Sequence, residues 1–253
     1  MKKLPPPYYQ DEYTTLYIGD AIELVHLFKS DSFDAVITDP PYSSGSAQWN
    51  TKALPTSQKY LSKNKDCPFP DFEGDNKDQR AFAFWCHLWL TQAFRIVKKG
   101  GVVCQFTDWR QLPLCTDVVQ SAGWTWRGIH VWNKLNSRPQ KGRFKNQCEY
   151  LVWASKGVMS KDGPCLSGCV SQGIVLGKKR RHQTQKPVEL MQEICQLAWQ
   201  KDALILDPFA GSGSTLVAAK SLGKRAVGIE LNEAYAQATV ERLKKISYGE
   251  YQS

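Results

Sequence analysis

Short apolar runs recur along this chain, and most of them end in Asp, Asn or Ser. Such runs, rich in β-branched and aromatic residues and bounded by turn residues, predict β-strands. They lie at residues 14–20, 33–39, 101–108, 126–133, 148–155, 203–209 and 225–231. Helical patterns stand between several of them, and this alternation predicts an α/β fold with a mostly parallel sheet.

Two helices are predicted from the spacing of apolar residues. The first carries Trp85, Leu88, Trp89, Ala93, Ile96 and Val97 at helical intervals. The residues at 98–101, KKGG, are expected to end it. The second covers 187–200 and begins at Pro187. No helix is predicted between 126–133 and 148–155, so these runs are expected to form an antiparallel hairpin at one edge of a doubly wound (Rossmann-like) sheet.

Two long polar stretches interrupt the alternation. Residues 43–80 are rich in Ser, Lys, Pro and Gly, and residues 156–183 end in GKKRRHQ. Loops of this length inside a compact domain are usually functional or disordered. The chain has 253 residues, of which 42% are hydrophobic. We therefore expect one domain over 1–253 with a polar insertion loop at 43–80.

Composition narrows the classes of function. The formal net charge of +9 and the pI near 9.1 favour a polyanionic partner. The eight cysteines show no paired CxxC spacing, so no metal site is expected and the thiols are expected to be reduced. Neither a signal peptide nor a bilayer-spanning run is recognisable, which predicts a cytoplasmic protein without membrane contact.

The stretch TDPPY at 38–42 follows the apolar run FDAVI directly. Two consecutive prolines restrict two φ angles and remove two backbone donors, so the local backbone is stiff. The result is an acceptor-rich turn with an aromatic ring at its tip. Such a turn suits a flat ligand, and a rigid strand-to-loop connection is its structural alternative.

A second motif, LILDPFAGSGST at 204–215, has the form of a strand, a glycine-rich turn and a helix beginning near Ser214 or Thr215. It is not a phosphate-binding GxxxxGK[ST], because no lysine precedes Thr215, and it is not GxGxxG, because position 216 is Leu. Glu230 ends the next strand, where an acidic side chain suits ribose hydroxyls. The pattern accommodates an adenosine-containing ligand without a pyrophosphate cradle, and a turn made only for tight packing is the alternative.

DPFAGSGST followed by Glu230 resembles the S-adenosylmethionine-binding motif of amino-methylating DNA methyltransferases, and TDPPY resembles the catalytic tetrapeptide of that family. KKGGVVCQFTD, VWNK and TQKP match further family segments. The tetrapeptide precedes the glycine motif, which is the circularly permuted order of the family's β group. The resemblance covers roughly residues 14–42 and 82–245. It implies the S-adenosylmethionine-dependent methyltransferase fold and that cofactor.

The resemblance also implies the site residues. The catalytic residues are Asp39, Pro40, Pro41 and Tyr42. The Asp39 carboxylate and the Pro40 carbonyl are expected to accept the two hydrogens of a base amino group, and the Tyr42 ring is expected to stack on the base. The residues expected to hold the cofactor are Asp20, Ala21, Asp39, Gln185, Lys186, Asp207, Pro208, Phe209, Ala210, Gly211, Ser212, Gly213 and Glu230.

Double-stranded DNA is the implied substrate, with the target nucleotide flipped out of the helix. Two basic stretches, KLNSRPQKGRFK and KKRRH, are expected to contact phosphates, although solvated basic loops are the alternative. The residues concerned are Lys134, Arg138, Lys141, Arg143, Lys145, Lys178, Lys179, Arg180 and Arg181. Target recognition is expected at 136–182, around the strand at 148–155, with the loop at 43–80 sharing the task.

An aspartate in the first position of the tetrapeptide is more usual for N6 of adenine than for N4 of cytosine, so Asp39 favours adenine. An RNA or protein-glutamine methyltransferase stays open, because a planar amide also fits such a turn. A binding module without catalysis is disfavoured by the intact motifs, and a dinucleotide oxidoreductase by the missing GxGxxG. A homodimer and an accompanying restriction enzyme are left open.

Overall fold

The computed structural model describes residues 3–42, 76–137, 139, 141–175 and 185–247. The strands in these ranges are β1 (Tyr9–Gln10), β2 (Thr14–Ile18), β3 (Phe33–Thr38), β4 (Val97–Thr107), β5 (Thr125–Asn133), β6 (Cys148–Ser155), β7 (Cys169–Ser171), β8 (Leu204–Asp207) and β9 (Arg225–Glu230). The helices are α1 (Ala21–Val25), α2 (Gln79–Ile96), α3 (Leu112–Ser121), α4 (Val188–Cys195), α5 (Ser214–Ser221) and α6 (Glu233–Leu243). None of these helices is long and apolar enough to cross a lipid bilayer.

All of these strands belong to one sheet, in the order β1-β2-β9-β8-β3-β4-β6-β5-β7. Five adjacent strands, β2, β9, β8, β3 and β4, run parallel to one another. Strand β1 is antiparallel to β2, and β6 is antiparallel to both β4 and β5. The predicted α/β fold with a mostly parallel sheet is therefore confirmed.

Helices cover both faces of the sheet. On one face α1, α2 and α3 bury Leu24, Trp89 and Val119 in a shared core. On the other face α4, α5 and α6 pack onto the sheet, with Leu190 and Leu216 fully buried. The three-layer arrangement is that of a doubly wound fold.

Two predicted element ends were wrong. Residues 98–101 do not close a helix, because α2 ends at Ile96 and β4 begins at Val97. Phe33 pairs with Val97 whereas Ala35 pairs with Val102, so the extra residues of β4 at 98–101 form a bulge. The helix predicted over 187–200 ends at Cys195.

The predicted antiparallel hairpin is present as β5 and β6. It does not lie at the edge of the sheet, because β7 pairs with β5 through three residues. Strand β7 lies inside the polar stretch predicted at 156–183, whose residues 176–183 are outside the described ranges. Residues 43–75 of the insertion predicted at 43–80 lie outside the described ranges, and its last two residues, 79 and 80, belong to α2.

The order of the strands reverses between β3 and β8. These strands are neighbours, yet the chain continues from β3 to β4 on one side and from β8 to β9 on the other. Ligands of such sheets bind beyond the carboxyl ends of the strands at this switch point. Asp39 directly follows β3, and the glycine-rich turn directly follows β8.

Candidate active site

A cavity of about 600 Å³ opens beyond the carboxyl ends of β3 and β8. This volume lies in the range of small-molecule sites. The structure brings together around it nearly all of the residues predicted for catalysis or the cofactor: Asp20, Ala21, Asp39, Pro40, Pro41, Tyr42, Gln185, Lys186, Asp207, Pro208, Phe209, Ala210, Gly211, Ser212 and Glu230.

Gly213, predicted to contact the cofactor, does not line this cavity. Its φ of +77° lies in the left-handed region, and a Cβ there would stand 2.4 Å from Cγ2 of Thr239 in α6. Only glycine adopts this conformation easily and leaves room for Thr239. Gly213 therefore shapes the turn and lets α6 pack beneath it.

The turn at 38–42 is tied to its surroundings by side-chain hydrogen bonds. Thr38 donates from Oγ1 to Oδ1 of Asp207 at 2.7 Å, which joins the ends of β3 and β8. Asp39 accepts a bond from the Tyr42 hydroxyl on Oδ1 and one from Lys186 Nζ on Oδ2, the latter at 2.5 Å. The sequence predicted a stacking ring for Tyr42 but not this engagement of its hydroxyl.

Lys186 stands between two carboxylates. Its Nζ lies 2.5 Å from Asp39 Oδ2 and 3.3 Å from Glu149 Oε2, and its side chain is 5% exposed. Burial lowers the pKa of Lys186, but the charges of Asp39 and Glu149 outweigh burial and raise it. For Asp39, burial raises the pKa, Lys186 lowers it and Glu149 raises it, so that it stands above its usual value.

Glu149 was not predicted as a site residue. It lies at the start of β6, where it is ion-paired with Lys134 at 3.0 Å as well as with Lys186. The only signal in the sequence is a charged residue inside the apolar run CEYLVWAS. Lys134, predicted to contact phosphate, is thus placed in a half-buried ion pair at the end of β5.

Acidic side chains support the glycine-rich turn. Glu230 accepts a bond from the Gly211 N–H at 2.7 Å and one from the Asn232 N–H at 2.9 Å. Burial raises the pKa of Glu230 to about 7 and that of Asp207 to about 6. Asp207 also accepts a bond from Oγ1 of Thr215 at 2.5 Å. Asp207 is 2% exposed, so it mainly holds the turn against β3.

The remaining walls of the cavity come from a helix cap and an aromatic cluster. Asp20 caps α1 by accepting the Ile22 N–H at 2.6 Å. The Phe209 ring lies 5.1 Å from that of Trp85 and 5.5 Å from that of Trp89. Trp85 was predicted only as a core residue, and its spacing in a helix carried no sign that it lines a cavity.

The loop from β5 to β6 lies at the same edge as the cavity. Thr107 at the end of β4 pairs with Tyr150, and Tyr150 pairs with Val131 near the end of β5. On this loop Lys141 and Arg143 are exposed, Phe144 is 99% exposed and Lys145 is half-buried. The other predicted phosphate contacts lie outside the described residues: Arg138, Lys178, Lys179, Arg180 and Arg181.

Comparison with known proteins gives the family. A family model described as DNA methylase (N6_N4_Mtase) matches residues 33–162 and 167–241. The putative methylase YubD of Escherichia coli (strain K12) is 27% identical over 230 residues, 90% of this chain and 89% of that protein. The type II methyltransferase M.HinfI of Haemophilus influenzae is 27% identical over 264 residues, 93% of this chain and 70% of that protein.

Solved structures share the fold. A structure of an M1.HpyAVI–SAM complex superposes with a TM-score of 0.65 at 23% identity, covering 91% of this chain and 98% of that one. The PvuII DNA methyltransferase (cytosine-N4-specific) superposes with a TM-score of 0.73 at 17% identity, covering 93% of this chain and 88% of that one. The predicted methyltransferase fold is confirmed.

Proposed function

We propose a function from the premise that this chain belongs to the N6/N4 DNA methylase family: it transfers a methyl group from S-adenosylmethionine to N6 of an adenine flipped out of double-stranded DNA. The observation that carries the proposal is that one cavity is lined both by the tetrapeptide at 39–42 and by the turn from Asp207 to Ser212 with Glu230. A base and a cofactor can therefore meet there.

The donor set of the cavity suits S-adenosylmethionine. That cofactor supplies an electrophilic methyl group on a positively charged sulfur, and the cavity presents the carboxylates of Asp20, Asp39 and Glu230. The two lysines among the described residues that line it do not form a pyrophosphate cradle, because Lys186 is held by carboxylates and Lys77 lies 4.8 Å from the Trp85 ring centroid. In this proposal Glu230 accepts the ribose hydroxyls, and Gly211 allows the backbone to approach the cofactor closely.

The tetrapeptide acts on the target amino group. The lone pair of this nitrogen is delocalised into the base, so the nitrogen is a poor nucleophile. The Asp39 carboxylate and the Pro40 carbonyl accept its hydrogens and stabilise the positive charge that develops on nitrogen. Because Pro40 and Pro41 restrict the backbone, these acceptors need little reorganisation. Tyr42 supplies a ring for stacking on the base.

Asp39 in the first position supports adenine as the target. Cytosine N4 is the second candidate, because its amino group requires the same acceptors and the similar PvuII enzyme is cytosine-N4-specific. The test is transfer of radiolabelled methyl groups from S-adenosylmethionine to unmethylated genomic DNA, followed by digestion to nucleosides. We expect N6-methyladenine. N4-methylcytosine would contradict adenine as the target base. Absence of label in DNA, with the cofactor bound, would overturn DNA as the substrate.

Cofactor affinity is expected to depend on pH through Glu230. The ionised carboxylate is the better acceptor for ribose hydroxyls, and its pKa is raised to about 7. Affinity for S-adenosylmethionine should therefore rise as the pH increases from 6 to 8. Isothermal titration calorimetry measures this, and Glu230→Gln should bind more weakly with a flatter pH profile. If the affinity of Glu230→Gln depended on pH as in wild type, Glu230 would be excluded as the source of the pH dependence.

DNA affinity is expected to depend on the exposed cations of the β5–β6 loop. The double variant Lys141→Ala, Arg143→Ala should reduce the slope of log Kd against log salt by roughly 1.8, about 0.9 for each lost phosphate contact. Fluorescence anisotropy with duplex DNA measures the slope.

The matched control for the loop variant removes the same charge on the far side of the sheet, near β1 and β2. Lys244 and Lys245 are exposed at the end of α6. The preceding Leu243 lies beside Lys220, which pairs with Asp11 ahead of β2. The double variant Lys244→Ala, Lys245→Ala should leave the slope unchanged. Equal slopes for the two double variants would contradict a contact between the β5–β6 loop and DNA phosphates.

A further inference from the structure

We propose that Glu149 is a positioning residue for methyl transfer: by sharing Lys186 with Asp39, it keeps the Asp39 carboxylate a strong acceptor for the amino group of the target base. Glu149 does not line the cavity, so it acts through Lys186. This inference rests on the proposed function, and it adds a residue that no motif identifies.

Four charged groups form a continuous chain from the catalytic turn to the base of the β5–β6 loop. Asp39 Oδ2 lies 2.5 Å from Lys186 Nζ, Lys186 lies 3.3 Å from Glu149 Oε2, and Glu149 Oε1 lies 3.0 Å from Lys134 Nζ. The Glu149 side chain is 20% exposed and that of Lys186 is 5% exposed. Charges shielded from water in this way interact more strongly than those on the surface.

The ammonium group of Lys186 is confined between its partners. It lies 4.9 Å from the ring centroid of Phe106, 5.5 Å from that of Tyr42 and 5.9 Å from that of Trp132. These rings attract a cation and leave little room for other positions. Lys186 also donates to the Tyr42 hydroxyl at 3.1 Å. The rings and the Tyr42 hydroxyl therefore hold the ammonium group within reach of both carboxylates.

Sharing the lysine affects the acceptor strength of Asp39. A lysine paired with Asp39 alone would neutralise the carboxylate and weaken it as an acceptor. The negative charge of Glu149 offsets part of the positive potential that Lys186 exerts on Asp39. Asp39 therefore retains negative potential toward the cavity. Lys134 in turn pairs with Glu149, and this second ion pair lowers the cost of burying the charges of Glu149 and Lys186.

Several charged or titratable groups surround Asp39, and they come from every neighbouring element. Lys186 ahead of α4, Glu149 of β6 and Tyr42 of the same turn act on Asp39 directly, and Asp207 of β8 is coupled to it. Two further groups act through these partners: Lys134 after β5 acts on Glu149, and Asp108 after β4 acts on Tyr42. The negative charge of Glu149 opposes ionisation of Asp39 and contributes to its raised pKa. Neutralising Glu149 should lower that pKa, and neutralising Lys134 should raise it.

The kinetic test is Glu149→Gln in single-turnover transfer from radiolabelled S-adenosylmethionine to unmethylated genomic DNA across pH. Asp39 must be ionised to accept, so the rate rises with pH through its pKa. We expect the plateau rate to fall about tenfold, by analogy with the lower end of the loss seen when a hydrogen-bond partner of a metal ligand is removed. We also expect the midpoint to move to lower pH, with cofactor affinity within about twofold of wild type. Glu149→Asp should restore part of the rate.

Asp11→Asn is the matched control for the loss of an ion pair. Asp11 pairs with Lys220 at 2.7 Å with side-chain exposures of 24% and 11%, close to the 20% and 16% of Glu149 and Lys134. It lies at the far end of the sheet, ahead of β2. The transfer rate of Asp11→Asn and the midpoint of its pH profile should match those of wild type. A fall in rate without a shifted midpoint in Glu149→Gln would show a merely structural role and overturn the proposal.

A second measurement does not depend on catalysis. The ¹³C carboxyl signal of Asp39, assigned by its loss in Asp39→Asn, can be titrated by NMR in the protein without DNA. Its midpoint should move to lower pH in Glu149→Gln and to higher pH in Lys134→Gln. If the wild type methylates no DNA but these shifts appear, the proposed function fails and the coupling stands. Unmoved midpoints in both variants would overturn the coupling, and Lys134→Gln alone decides it if Glu149→Gln does not fold.

Discussion

Asp39→Asn is expected to reduce the rate of methyl transfer by on the order of a thousandfold, the upper range for losing one preorganised electrostatic contact to a transition state. Asparagine has nearly the same shape but lacks the negative charge and replaces one acceptor oxygen by a donor. It therefore cannot stabilise the positive charge on the base nitrogen. It also leaves Lys186 with Glu149 as its only described carboxylate partner.

The expected loss is in the chemical step. Asp39 is one of several residues around the cavity, so the affinity for S-adenosylmethionine should change far less than the single-turnover rate. Calorimetry for the cofactor and single-turnover transfer of label to DNA separate the two quantities. If binding fell by as much as the rate, Asp39 would be a cofactor ligand rather than a catalytic residue.

Asp34→Asn provides a control on the same strand. Asp34 lies at the amino end of β3, where it pairs with Lys98 at 2.8 Å and accepts the Leu204 N–H at 2.8 Å. Asp39 lies just beyond the carboxyl end of the same strand. Loss of the Asp34 charge should leave the transfer rate near that of wild type. A comparable loss in both variants would point to general damage to β3.

The residues around the cavity could be predicted where their signal is local. A proline pair after an apolar run, a GxG turn and an acidic residue at the end of the next strand are each visible within a few positions. Topology then brings them together, because the carboxyl ends of parallel strands share one edge of the sheet. Thr38 and Asp207, 169 positions apart, meet in this way at the switch point.

Other features depend on contacts that no local pattern encodes. Glu149 lies in an apolar run, and its pairing with Lys186 follows only from β6 lying next to β4. Strand β7 has three residues, too few for periodicity to reveal. KKGG at 98–101 has the residues of a helix end, but pairing of β4 with β3 makes it a bulge, so tertiary contacts overrode the local preference.

Gly213→Ala is expected to lower the free energy of unfolding by about 2–4 kcal/mol, combining the left-handed conformation with crowding in a packed core. Gly213 has φ of +77°, and the new Cβ would lie 2.4 Å from Cγ2 of Thr239, which is fully buried in α6. The turn and α6 cannot both keep their positions. Thermal unfolding should show a fall in Tm of roughly 5–15 °C for a chain of this size.

Two comparisons separate the contact from the backbone conformation. Gly142 has a similar φ of +71° but nothing within 4 Å of its added Cβ, so Gly142→Ala should cost only about 1 kcal/mol. Thr239→Ser removes the nearest clashing atom, the methyl group, and keeps the hydroxyl, which lies 2.8 Å from the added Cβ and donates to the Gly211 carbonyl at 3.0 Å. In a double-mutant cycle it should recover about 1 kcal/mol or more of the Gly213→Ala loss. Equal losses at the two glycines, or no coupling to Thr239, would show that the left-handed backbone alone accounts for Gly213, and that the packing of α6 against the turn does not.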